Sequence, residues 1–162
     1  MYAYFGYPVV LIALGLLVRA RKKDRFADDS LPSLSIIIPA HNEAEVIGAK
    51  LENMLALPYG GDVEVIVVSD GSTDNTEKIV LSKSNDDRLV YIALSDRKGK
   101  ANALNQGVGR ATGEIVVFSD ASIILDEQAL IEIVQPFSDP EVGCVSGEDK
   151  IAGSDGEGLY GR

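Results

Sequence analysis

The chain has 162 residues, 46% of them hydrophobic and 25% charged, which leaves room for one sizeable core and argues against wholesale disorder. Its net charge of −10 is uneven, with +4 in residues 1–25 and −14 in the remainder, and so acidic a body argues against a nucleic-acid partner. The single cysteine, Cys144, excludes an intrachain disulfide and makes a reducing compartment the simpler assumption.

Tyr2 to Val18 carries no charge and is followed at once by Arg19-Ala20-Arg21-Lys22-Lys23-Asp24-Arg25. At 1.5 Å per residue this stretch spans roughly 25 Å as a helix, near the short limit for a hydrocarbon core of about 30 Å. A signal peptide would place its charges before the apolar run, whereas here they follow it. Tyr2, Tyr4, Tyr7 and Pro8 suit the membrane interface, and the basic flank places the body in the cytosol. The expectation is a transmembrane anchor with its basic flank over residues 1–25, in the cell (inner) membrane; a buried helix of the soluble domain is the alternative. Residues 26–32 read as a linker.

From residue 33 onward, strand-like and helix-like segments alternate. Ser33–Pro39, Val63–Ser69, Arg88–Ala93, Glu114–Ser119 and Glu141–Ser146 are the predicted strands, several of them continuous Val/Ile runs of the kind buried on both faces. The predicted helices are Glu43–Leu57, Asp74–Ser84, Lys100–Ala111 and Asp126–Phe137, each with apolar residues at three- and four-residue spacing. Asp74 with Glu77 forms an acidic variant of a capping box, and Asp126 stands where the last helix should begin. Such alternation calls for an α/β fold with a mainly parallel sheet and right-handed crossovers. The domain is expected to run over 33–150. Residues 151–162 carry neither pattern and are the expected point of truncation of a longer protein.

In an open sheet of this kind ligands bind beyond the carboxyl ends of the strands. Asp70 closes the second strand and opens a Gly71-Ser72-Thr73-Asp74 turn. Its carboxylate suits a nucleobase imide or a ribose hydroxyl, and equally suits capping its own turn with Ser72. Asp120-Ala121-Ser122 resembles a shortened acidic metal motif, since Mg²⁺ needs only one or two carboxylates when substrate phosphates complete its shell; a plain turn carboxylate is the competitor. Arg97, Lys98 and Lys100 precede a predicted helix, either to meet a phosphate or as a solvated basic turn. His41 either stacks on a base or simply leads into the first helix, with Asn42 and Glu43 fitted to the cap and first turn. Cys144, in the run Val142-Gly143-Cys144-Val145, reads as a small buried hydrophobe.

Taken together, Ile38-Pro39-Ala40-His41-Asn42-Glu43, Val68-Ser69-Asp70-Gly71-Ser72-Thr73-Asp74, Lys98-Gly99-Lys100-Ala101-Asn102-Ala103-Leu104-Asn105 and Phe118-Ser119-Asp120-Ala121-Ser122 resemble family 2 glycosyltransferases in order and spacing. The resemblance covers about residues 33–150 and implies a GT-A fold, inverting transfer, a nucleotide-diphosphate-sugar donor with UDP favoured, and Mg²⁺ or Mn²⁺. A saccharide or lipid acceptor and a membrane are the implied partners. Position by position, it implies nucleotide-sugar contacts for Pro39, His41, Glu43, Asp70, Lys100 and Asp120, and metal ligation by Asp120 and Ser122. His41 departs from the commoner tyrosine, and Ser122 replaces a second acid or amide. The Gln-x-x-Arg-Trp motif of many membrane synthases is absent, because the chain has no Trp. No catalytic base is identified; it is expected beyond Arg162. A non-catalytic nucleotide-sugar-binding module, or an inactive donor half, is the alternative function. A dinucleotide-dependent oxidoreductase would need a glycine fingerprint after the first strand, which is missing.

Overall fold

The structure is a computed structural model that describes Phe26 and residues 31–147. The expected anchor over 1–25, most of the linker and the tail lie outside the described residues. Among the described residues no helix is long and apolar enough to cross a membrane.

Among the described residues four strands and four helices alternate: β1 (Leu34–Ala40), α1 (Ile47–Ala56), β2 (Val63–Asp70), α2 (Thr76–Leu81), β3 (Leu89–Leu94), α3 (Lys100–Val108), β4 (Ile115–Phe118) and α4 (Ala129–Val134). A 3-10 turn, Gln135–Ser138, follows α4. The strands form one parallel sheet in the order β3-β2-β1-β4. β1 is central, and successive side chains point to opposite faces. Ile36 and Ile38 pack with Ile47, Leu51 and Met54 of α1, Val80 of α2 and Leu130 and Val134 of α4. Ile37, Ile66 and Val68 face the other way, onto Ala103 of α3. The uninterrupted apolar runs are thus the signature of strands covered on both sides. Gly107 lets α3 come this near, since a Cβ there would lie 2.5 Å from Ile37 Cγ2.

Three expectations need correction. Glu141–Ser146 forms no strand: among the described residues it has no ladder partner, and its backbone bonds from Glu141 N to Asp139 Oδ1 (3.0 Å) and from Val142 N to Asp139 O (3.0 Å) are local. Three apolar positions interrupted by Gly143 do not hold an extended segment without a neighbouring strand. Cys144 is therefore exposed rather than buried. The helices are also shorter than their periodicity suggested. α1 starts at Ile47, and the upstream amides of Glu43 and Ala44 are capped from outside the helix by Thr76 Oγ1 (2.9 Å) and Asp74 Oδ2 (3.0 Å). At the other end of the fold, Pro136 lacks an amide hydrogen and crowds the preceding turn, so α4 tightens into the 3-10 turn. Asp126 stands just before α4, where its Oδ1 accepts from Gln128 N (3.0 Å), while Gln128 itself is the helix cap.

Candidate functional site

Chain order reverses between β1 and β4, and there the carboxyl ends of the strands open onto a cleft of about 210 Å³. β1 supplies Pro39, Ala40 and, just beyond, His41 and Glu43. Asp70 comes from the end of β2, Arg97, Gly99, Lys100 and Ala103 from α3 and the loop before it, and Asp120, Ala121 and Ser122 from the end of β4. Pro39, His41, Glu43, Asp70, Lys100, Asp120 and Ser122, singled out from the resemblance, all line this one cleft. Lys98 does not line it and contributes only its backbone amide.

Asp70 is 3% exposed, and its carboxylate is already at work within the protein. Oδ1 accepts from Lys98 N (2.8 Å) and Oδ2 from Gly99 N (2.7 Å), charge-assisted bonds that fix the loop leading into α3. Gly71, at φ +63°, makes room for that loop, since a Cβ would lie 2.7 Å from Arg97 N. Gly99, at φ +93°, turns the chain into the first turn of α3, where Lys100 begins the helix. Lys100 Nζ reaches across to Asp120 Oδ1 at 2.6 Å, with both side chains largely exposed to solvent.

His41 Nδ1 lies 2.7 Å from the carbonyl oxygen of Asp70. A carbonyl only accepts, so Nδ1 carries a hydrogen and the ring's other nitrogen, Nε2, is left clear of this contact. The two turns beside it are stitched together. Asn42, in the left-handed region at φ 56°, accepts from Thr73 N on Oδ1 (2.8 Å) and donates its own amide to Ser72 Oγ (3.1 Å). Asp74 accepts from Thr76 N and Oγ1 and from Ala44 N; these bonds, led by the Thr76 hydroxyl, hold its carboxyl below the usual carboxylate range. Asp74 therefore joins α1 to α2 as well as capping its own helix.

Lys50 and Asn53 escaped the reading of the sequence. Lys50 has no exposed surface, and its Nζ donates to Ser119 Oγ at 2.7 Å and to the carbonyl of Ile123. Burial draws the ammonium down to about pKa 8, against the pull of the Asp120 charge. The available signal was positional: Lys50 falls on the Ile47, Leu51, Met54 stripe of α1, where a lysine must find partners inside. Among the described residues no three His, Cys, Asp or Glu side chains are grouped to share a metal ion. Asp120 and Ser122 remain as hard oxygen donors on the cleft wall.

Residues 35–157 match the family profile described as Glycosyl transferase family 2. The chain belongs to that family. It is 35% identical over 131 residues to the poly-beta-1,6-N-acetyl-D-glucosamine synthase of Staphylococcus aureus (strain COL), a match covering 80% of this chain and 32% of that protein. The same-named synthase of Staphylococcus epidermidis is 33% identical over 119 residues, 73% of this chain and 29% of its own length. The chain thus spans about a third of the length of these curated relatives. Among solved structures, the mannosyltransferase PcManGT from Pyrobaculum calidifontis, in complex with GDP-Man and Mn²⁺, matches with TM-score 0.70 and 32% identity over 88% of this chain and 43% of that one. Staphylococcus aureus TarS 1–349 in complex with UDP-GlcNAc matches with TM-score 0.57 and 29% identity over 62% of this chain and 30% of that one. The parallel α/β sheet is accordingly the GT-A-like fold that the resemblance implied.

Proposed function

We propose that the chain is the donor-binding half of a membrane-anchored, inverting glycosyltransferase that takes a UDP-sugar and passes the sugar to a hydroxyl of a saccharide or lipid acceptor. The observation that carries this is the convergence of His41, Asp70, Lys100 and Asp120 on one cleft at the reversal of strand order. A nucleotide-sugar donor is supported by the UDP-GlcNAc complex of TarS and the GDP-Man complex of PcManGT, and the TarS complex together with relatives named as N-acetyl-glucosamine polymer synthases supports UDP-GlcNAc as the one to test first.

In this assignment His41, its ring oriented by the Nδ1 contact to Asp70 O, lies against the base, while Asp70 fixes the Lys98–Gly99 loop and keeps a second lone pair on each oxygen for the nucleoside. Lys100 and the amides opening α3 meet the diphosphate, a point charge and oriented dipoles acting on the same anion. Asp120 and Ser122 would hold Mg²⁺ or Mn²⁺, and one carboxylate with one hydroxyl suits an ion that fills its shell from phosphate and water. Such an ion, when bound, supplies charge neutralisation to the leaving diphosphate. The acceptor's base is assigned outside the described residues, and the anchor over 1–25 would hold the cleft on the cytosolic side of the membrane.

Calorimetric titration of the 162-residue chain with UDP and Mn²⁺ tests the assignment. Binding is expected, weakened about tenfold or more in Asp120→Asn, whose side chain is exposed enough that folding should survive. No binding by the parent, or equal binding by the variant, overturns it. Sugar transfer to water or acceptor by a longer reading frame separates an enzyme from a binding module.

A further inference from the structure

We propose that Lys50 and Asn53 form a clamp on α1 that positions the Ser119–Leu125 segment, and with it Asp120 and Ser122, for nucleotide binding. This deepens the donor assignment and rests on it. The two side chains are three residues apart and so share one face of α1. Lys50 Nζ holds the Ser119 hydroxyl (2.7 Å) and the Ile123 carbonyl. Asn53 completes the grip from the next turn: Nδ2 donates to Leu125 O (3.0 Å) and Oδ1 accepts from Leu125 N (2.8 Å).

The segment so gripped needs holding. Between the end of β4 and the start of α4 it has no regular structure, and its backbone bonds are Ser119 N to Ile37 O (3.1 Å) and Ile123 N to Asp120 O (3.2 Å). The anchors fall at positions 119, 123 and 125, so they bracket the cleft-lining Asp120, Ala121 and Ser122. Ala121 is 3% exposed and pins the middle of the segment to the core, leaving Asp120 and Ser122 turned outward on either side. A lysine suits this work because its long stem crosses the apolar layer beneath the sheet and its ammonium satisfies two oxygens at once. An apolar residue there would leave a buried hydroxyl and carbonyl without a donor. The ammonium also places a positive charge next to Asp120, whose field it feels.

The test uses Lys50→Met and Asn53→Ala in the full chain, with hydrogen exchange and UDP calorimetry performed well below both melting midpoints. Expected are faster amide exchange confined to residues 119–125, with β1 and β2 unchanged, and UDP affinity reduced about tenfold, the size that loss of a charged or buried hydrogen bond produces. Unchanged exchange in that segment overturns the clamp. Loosened exchange with unchanged UDP affinity also overturns it, because a merely structural contact behaves in that way. Should Lys50→Met fail to fold, Asn53→Ala, at a half-buried site, decides alone. A parent that binds no UDP overturns the donor assignment itself, whereas a binding parent with unaltered variants overturns the clamp alone.

Discussion

Replacing Lys50 by Met should change how stability depends on pH more clearly than it changes stability at any one pH. Burial lowers the Lys50 pKa from 10.5 to about 8. Below pH 8 the amine is protonated in both folded and unfolded chains, and the folded state carries the whole cost of burying the charge, about 3 kcal/mol for a shift of this size. Between pH 8 and pH 10.5 the unfolded chain holds a proton that the folded chain has released, so this group makes stability rise with pH. The parent should therefore gain about 1 kcal/mol relative to Lys50→Met between about pH 7 and about pH 9, and most of the remainder by about pH 10.5. At neutral pH the variant escapes the burial cost but leaves the Ser119 hydroxyl and the Ile123 carbonyl without their donor, at about 1–3 kcal/mol each. Those effects are of similar size and opposite sign, so a single melting midpoint decides nothing, whereas the slope isolates the amine. Urea unfolding of both proteins at several pH values and constant ionic strength supplies it. A parent-minus-variant difference that stays flat from about pH 7 to about pH 9, or falls, refutes a buried titrating ammonium at this position.

Asp70→Ala removes two charge-assisted bonds to the Lys98 and Gly99 amides and should cost about 3 kcal/mol in urea unfolding, together with faster exchange of the 97–99 amides. Gly71→Ala places a Cβ 2.7 Å from Arg97 N at φ +63°; the expected result is a loss of about 2 kcal/mol or more and weaker UDP binding, read by thermal melting and calorimetry. Gly107→Ala gains about 1 kcal/mol of helix propensity but drives a methyl against Ile37 Cγ2, so a net destabilisation of about 1 kcal/mol is expected in the same unfolding assay. Ser122→Asp adds a second carboxylate beside Asp120 and should tighten Mn²⁺ binding about tenfold by calorimetry; an unchanged affinity would remove Ser122 from the proposed ligand set.

The sheet was legible because its two inner strands, β1 and β2, are buried on both faces. Ile36, Ile37 and Ile38 are fully buried, as are Val65, Ile66, Val67 and Val68, and such runs announce themselves without any polar alternation to decode. The cleft was legible for a related reason, since each run ends in the residue it delivers to the rim: Ala40 before His41, Asp70 itself, and Phe118 before Ser119 and Asp120. The Val142-Gly143-Cys144-Val145 run had the composition of a strand, but composition specifies no partner, and pairing is what makes a strand. Lys50 was hidden by the rule that finds helices. Period 3.6 identifies the buried stripe of α1 through Ile47, Leu51 and Met54, and a lysine on that stripe registers as a gap rather than as a buried amine. Helix ends were blurred because their capping is tertiary: Asp74 and Thr76 satisfy amides that precede α1, some thirty residues away along the chain.

Charge shows why the site had to be assembled in space before it made electrostatic sense. The chain as a whole carries −10, which alone would repel a nucleoside diphosphate. Around the cleft that imbalance is offset locally, with Arg97 and Lys100 on the wall and Lys50 bound to Ser119 and Ile123 beside it, set against Glu43, Asp120 and a carboxylate of Asp70 already engaged by two amides. Arg97 and Lys100 are adjacent to a helix start and could be suspected from sequence, but Lys50 comes from α1, about seventy residues before the loop it holds. Ser122 fits the same logic, because a second carboxylate there would bring more negative charge to a wall that must face an anion. The field that a diphosphate would meet is therefore set by chain segments that one parallel sheet brings together, while exposed charges more than about 10 Å away are largely screened by salt.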